Sequence, residues 1–351
     1  MKTLRPLALL LALTPALLHA QGSLTPPAGL PVASMKTLDQ VEARKPIQSL
    51  AASAPYTITQ SGSYYLTGNI TVSTNLSAII VGDNVNDVTI DLNGFTIEST
   101  LATAGTASAI SFATSARITV RNGSIRSGTT ITPAGVGSLT GRGFAHAIFT
   151  PGFLTECLIS GVKVTGMHSF AIVCDGNSLV ENCQVTHSQT GILNSDGLTR
   201  GCIVSNCLNT GIITRTAESC SATSYQSTGI DARIALNCTG TSTNGTGLNA
   251  PTATNCAGRS TSSIGLSATT ATNCNGSSID GTGLRATTAT NCTGTTSSND
   301  AEDIGLEATG TANTCRGTSG AGATALKAAI AIGCTFSGGT LDVPLAKRFN
   351  M

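Results

Sequence analysis

Gly247-Leu-Asn-Ala-Pro-Thr-Ala-Thr-Asn-Cys256 recurs eighteen residues on as Gly265-Leu-Ser-Ala-Thr-Thr-Ala-Thr-Asn-Cys274, and again as Gly283-Leu-Arg-Ala-Thr-Thr-Ala-Thr-Asn-Cys292. The cysteine column extends back through Cys238 and Cys220 to Cys202 in equal steps, and Gly229-Ile230 and Gly211-Ile212 continue the glycine column. Two columns thus share one period. A helical solenoid needs roughly 33 or more residues per repeat to form two helices. These units are shorter and rich in β-branched and turn residues. One coil of a single-stranded right-handed parallel β-helix fits instead, with coils about 4.8 Å apart and identical residues stacked in ladders. The longer step from Cys292 to Cys315 places an inserted loop at Asn299–Asp303, where turns accept insertions.

Upstream the period loosens into coils of about 20 to 26 residues, with strands predicted at Thr57–Thr59, Tyr64–Leu66, Ile70–Val72, Ala78–Val81, Val88–Leu92, Phe95–Ile97, Ile118–Val120 and Val162–Val164. The solenoid is expected to taper toward its C-terminal end. Ser34–Leu50 is the one stretch that reads as helical, a cap for the first coil, preceded by a Pro-rich linker at Gly22–Pro31. The domain reading is a signal peptide over 1–20, linker and cap over 21–54, solenoid over 55–340 and a tail or cap over 341–351.

The signal peptide rests on basic Met1–Arg5, apolar Leu7–Leu18 and a small-residue site after Ala20. The apolar run is too short to span a bilayer. The protein is therefore expected outside the cytoplasm, extracellular, periplasmic or at the cell surface, without membrane insertion. Charged residues are 11% of the chain and the formal net charge is +1, which argues against nucleic acid or anionic lipid as a partner. Gly, Ser and Thr are abundant and aromatics are 3%, a composition that resembles disorder. The 40% of hydrophobic residues recur in order, however, and stacked repeats can bury them.

Pro55-Tyr-Thr-Ile-Thr-Gln-Ser-Gly-Ser-Tyr-Tyr-Leu-Thr-Gly-Asn-Ile70 and Val88-Thr-Ile-Asp-Leu-Asn-Gly-Phe-Thr-Ile97 resemble the opening coils of bacterial secreted pectin-lyase-like β-helix proteins. Met35-Lys-Thr-Leu-Asp-Gln-Val-Glu-Ala-Arg-Lys-Pro-Ile47 is similar to the leader that precedes that opening. The resemblance implies fold and export more than chemistry. Enzymes of this fold include polysaccharide lyases and glycoside hydrolases. The hydrolase strings Asn-Thr-Asp, Asp-Asp, Gly-His-Gly and Arg-Ile-Lys do not occur here.

Asp83, Asp87 and Asp91 read as turn chemistry rather than a cation site, since Asp and Asn beside Gly close tight turns. His146, His168 and His187 fall about one per coil, so two of them are expected to be neighbours. His168 and His187 with Glu181 and Asp196 form the candidate acid-base cluster, set against solvated turn residues as the plainer explanation. The twelve cysteines suggest disulfides in an exported protein. In-register Cβ atoms about 4.8 Å apart favour free thiols as core filler instead. Cys202 with Cys207 is the open exception. No Cys-x-x-Cys pair or His-Cys cluster points to zinc, and no metal or cofactor is called for.

The pairs Thr252 and Thr254, Thr270 and Thr272, and Thr288 and Thr290 resemble the threonine ladders of ice-binding β-helices. Two features oppose this. Ile234, Leu236, Ile330 and Ile332 at the flanking positions suit a core column, and strict alternation cannot turn both Ala271 and Cys274 inward without a bend. The column Asp231, Asn249, Ser267, Arg285, Glu307 and Lys327 is expected to face water, with Arg285, Glu307 and Lys327 pairing between coils. The functional expectation is a non-catalytic carbohydrate-binding or structural module with a polysaccharide or cell-surface glycan as partner. The alternatives are a polysaccharide lyase or glycoside hydrolase in the N-terminal half, and ice binding. Oligomeric state is open.

Overall fold

A computed structural model describes residues 43–48, 54–112, 114–132, 138–150 and 156–343. The expected signal peptide, the linker and most of the leader lie outside the described residues, as do residues 344–351. The described chain is all β, without a helix, and winds into a parallel solenoid of about 15 turns with coils near 19 residues. Thirty-three strands share one continuous hydrogen-bonded system, and the antiparallel pair Thr130–Thr132 with Ser138–Thr140 stands apart from it.

Each coil contributes to three walls, and in each wall one inward residue stacks on its counterparts. The first ladder runs from Tyr56 and Ile79 through Ile148, Ile172 and Ile212 to Leu248, Leu266, Leu284 and Leu306. The second begins with Tyr64, Ile90, Val120, Ile159 and Val180, crosses Thr199, and continues as Ala217, Ala235, Ala253, Ala271 and Ala289. The third descends from Ile97 and Ile125 through Val164, Val185 and Val204 to Ala222, then Gly240, Gly258, Gly276, Gly294 and Gly317. Side-chain volume therefore falls along two of the three walls, and the expected taper is written in these ladders.

The glycines explain how the narrow end closes. A Cβ placed on Gly258 would lie 2.2 Å from the Gly265 carbonyl oxygen and 2.8 Å from the Leu266 Cβ, and one on Gly247 would lie 2.3 Å from the Arg259 amide nitrogen. The third wall thus presses its backbone directly against the first. Upstream, valine holds the same walls apart, as where Val204 Cγ1 faces Gly191. The turn between second and third walls is made by a left-handed residue in nearly every coil: Asn93, Asn122, Asn182, Asn237, Asn255, Asn273 and Asn291 all have φ near +55°, the region where asparagine is least disfavoured after glycine. Their amides also stack, with Asn273 Nδ2 donating to Asn255 Oδ1 and Asn255 Nδ2 to Asn237 Oδ1, each at 3.2 Å.

The structure changes two sequence expectations. Lys45–Ile47 is a strand paired with Tyr64–Leu66, not part of a helix, because Ile47 fills the core position above Leu66. The early coils are longer than expected: Ile79 pairs with Ile110, and Ile110 with Ile148, the additional residues lying between the walls. The loop over 299–303 does fall between two strands, Thr293–Thr296 and Ile304–Asn313.

Overpacking a close-packed interior costs about 1–3 kcal/mol and occasionally more. Gly276→Ala is therefore expected to lower the denaturation midpoint sharply, its Cβ falling 2.3 Å from the Gly283 carbonyl oxygen. Gly68→Ala, where nothing lies within 4 Å, is expected to leave the midpoint unchanged in the same chemical denaturation series.

Candidate functional site

The histidine and carboxylate candidates are distributed over different walls. Glu181 lies in Leu179–Glu181 on the second wall, where it accepts from Arg200 at 2.6 Å and from the Ser160 hydroxyl at 3.2 Å. The Arg200 guanidinium holds its carboxyl below the usual range. His187 has φ +56° in Gln184–Ser188 of the third wall. Asp196 is exposed at the corner between first and second walls, where its charge, after burial, raises the carboxyl of Asp175. His168 donates from Nε2 to the Gly105 carbonyl at 2.5 Å. No hydrogen bond or ion pair joins any two of these four.

The histidine pair that does form is His146 with His168. His146 occupies the register position of Ser108, and its ring stacks on Phe149 at 4.3 Å and faces Phe170 at 6.2 Å. Burial first, and the nearby His168 second, push its pKa down to about 4. Sequence spacing puts a histidine in each of these coils without saying on which wall it falls.

The threonine ladders face outward. Thr252, Thr270 and Thr288 stack in register and are exposed, Thr254, Thr272 and Thr290 stack beside them half-buried, and Ala253, Ala271 and Ala289 point inward between the rows. The objection from alternation fails because Asn273 and its counterparts supply the missing bend. The flanking isoleucines do not form a core column: Ile234 is 39%, Ile330 41% and Ile332 42% exposed. The second wall therefore presents, from Ile234 to Ile332, a surface of threonine, asparagine and aliphatic residues free of charge.

The third wall carries a different feature. Thr241, Arg259, Ser277 and Thr295 stack outward over four coils and, with Thr261, Ser297 and the 52% exposed Ile279, line an open groove of about 290 Å³ parallel to the solenoid axis. These residues escape a motif search, yet their common step of eighteen residues is visible in the sequence. On the first wall the polar column behaves as expected: Arg285 and Lys327 bind Glu307 at 2.6 and 3.3 Å, and Asn249 donates to Asp231 at 2.9 Å.

Turn chemistry accounts for the upstream aspartates. Asp91 accepts the Asn93 amide at 2.9 Å and pairs with Arg121 at 3.1 Å, while Asp87 pairs with Arg117 at 2.6 Å and is itself left-handed. Among the described residues, no three His, Cys, Asp or Glu side chains are arranged to hold a metal ion. No protein-family model matches this sequence, and a search of curated proteins returned no match.

The interior holds the chemistry the exterior lacks. All twelve cysteines are free, and Cys202 and Cys207 do not pair. Successive coils from Cys183 to Cys334 place one thiol each directly after the left-handed turn. The pattern of contacts repeats: Cys274 Sγ lies 3.2 Å from the Thr272 carbonyl and 3.4 Å from the Ala253 carbonyl, as Cys292 Sγ does from Thr290 and Ala271. Contact with the Cys183 thiol, together with burial, pushes Cys202 up to about 12, and contact with Cys202, together with burial, pushes Cys220 up to about 11. Burial alone takes Cys207 to about 12. Above the ordinary value of 9.0 the unfolded chain releases protons that the folded chain keeps, so stability falls as pH rises, by about 1.4 kcal/mol per thiol per pH unit. Thermal midpoints are expected to drop progressively from pH 9 toward pH 11, and a Cys202→Ala, Cys220→Ala variant is expected to show a shallower decline.

Proposed function

We propose that this chain is an exported, non-catalytic solenoid that holds an extended carbohydrate chain along its outer surface, as an extracellular or cell-surface module. One observation carries the reading: the axial groove of the third wall, where Thr241, Ser277 and Thr295 repeat a hydroxyl at the coil spacing beside Arg259 and the exposed Ile279. Hydroxyls both donate and accept, a guanidinium donates in several directions, and an aliphatic side chain suits the C–H face of a sugar ring. A groove crossing several coils fits a polymer better than a small molecule. Export is supported by the basic, apolar and small-residue succession of the first twenty residues. The similarity of Pro55–Ile70 and Val88–Ile97 to secreted pectin-lyase-like proteins agrees with it. The coil is taken as right-handed, the sense favoured for crossovers between parallel strands.

The test is retention on a polysaccharide panel measured together with product release. Retention without new reducing ends or unsaturated products is the expected result. Arg259→Ala combined with Ser277→Ala is expected to weaken it at least tenfold, two lost hydrogen bonds being worth about 1 kcal/mol each or more. Retention of no glycan would overturn the reading, and product release would replace it with a lyase or hydrolase.

The second wall favours a second reading, binding to ice. Its threonine hydroxyls and methyls repeat at the fixed spacing of paired strands, on a wall without charge, a geometry suited to holding water in a regular array. Inhibition of ice recrystallisation that disappears in Thr270→Lys is the expected outcome. An inactive wild-type protein would eliminate this reading.

A further inference from the structure

The regular charges of this solenoid obey a rule. Wherever two charged residues face each other in a strand register, their signs are opposite: Asp91 and Arg121, Glu98 and Arg126, Glu181 and Arg200, Arg285 and Glu307, Glu307 and Lys327. Arg215 and Arg233 break it. Thr214 pairs with Ala232 and Thr216 with Ile234, so the two arginines between them stand directly over one another at the corner of the first and second walls. Both are exposed, and neither has an ion pair or hydrogen bond among the described residues. The nearby acids are committed elsewhere, Asp231 to the Asn249 amide and Glu218 to the register of Arg200. Like charges placed directly opposite across strands are destabilising. Neither guanidinium can relieve this by losing its proton.

We propose that Arg215 and Arg233 form a recognition site for a phosphate group. The pair supplies two positive charges, and a phosphate monoester or inorganic phosphate carries about −1.5 to −2 near neutral pH. A planar carboxylate is satisfied by the fork of one guanidinium, whereas a tetrahedral oxyanion presents oxygens along separate edges and can engage two stacked forks at once. The site is discrete. Thr252 pairs with Ile234, which places Pro251 beneath Arg233 and ends the cationic column. A chain of basic residues able to follow a polyanion backbone is therefore not built here; a single group is read. The site lies on a different wall from the groove of Arg259, so it stands or falls separately from the carbohydrate reading.

The test uses the intact protein with inorganic phosphate, and sodium chloride at matched ionic strength as control. Phosphate is expected to raise the thermal midpoint where chloride does not, and titration calorimetry is expected to give one site per chain. Arg215→Gln and Arg233→Gln are each expected to weaken it at least tenfold, and the double variant to abolish it while keeping the β-sheet circular dichroism of the parent. Affinity is expected to fall between pH 7.5 and pH 5, as phosphate takes its second proton with a pKa of about 6 while the arginines stay charged. Dextran phosphate retained over plain dextran would assign the site to a polymer-borne phosphate, and retention of neither with binding of the free anion would assign it to inorganic phosphate. The proposal is overturned if chloride reproduces the effect at equal ionic strength, or if the double variant binds phosphate as well as the parent.

Discussion

Parallel backbone pairing between consecutive coils is the interaction on which everything else in this molecule rests. The strands of each coil give their N–H and C=O groups to the coils above and below, and burial of the backbone is tolerable only because those groups are satisfied. The pairing then dictates side-chain position. Because the register advances one coil at a time, each residue meets its counterpart, and every interior feature becomes a column: leucines, alanines, glycines, thiols. A substitution is therefore felt against two near-identical neighbours rather than against a varied core, and the properties of a wall are properties of its repeat.

The interior changes character from one end to the other. In the early coils Ile79, Ile110, Ile90, Val120 and Ile125 fill a wide bore, each fully buried branched side chain contributing about 1.5–3 kcal/mol of transfer free energy. In the late coils alanine and glycine occupy two of the three ladders, so that source of stability falls away. Contact between walls replaces it. Glycine lets the third wall reach the first, leucine fills what remains, and the thiol column serves as a slim apolar wedge at the corner where asparagine turns the chain. A cysteine suits that place because its sulfur fills space as an aliphatic group does and still meets two carbonyls without being ionised.

The fold was legible because a ladder in space is a period in sequence, and Cys202, Cys220, Cys238, Cys256, Cys274 and Cys292 display it openly. Its outer surface was less so. Strand alternation assigns faces only until the backbone turns, and the left-handed asparagine before each cysteine resets the parity; the outward threonines were lost in that step even though the asparagines were in plain view. Ile234, Ile330 and Ile332 were read as core because they are aliphatic, yet single aliphatic residues on a water-facing wall are ordinary. The histidines failed for another reason: a spacing of about one per coil fixes the level but not the wall, since the early coils vary in length at their turns. Lys45–Ile47 is too short a strand to announce itself, and only its partner Tyr64–Leu66 defines it.

The three nearly identical coils ending at Cys256, Cys274 and Cys292 carry a further consequence. Sliding one of them into its neighbour's place exchanges like for like, so a frame slipped by a whole coil satisfies almost the same partners as the correct one. The irregular early coils, each different in length and filling, are what anchor the count. By the same reasoning, duplication or loss of one such unit in the gene would leave both new junctions matched, which makes the length of the uniform stretch a quantity that evolution can adjust in whole steps without redesigning the interior.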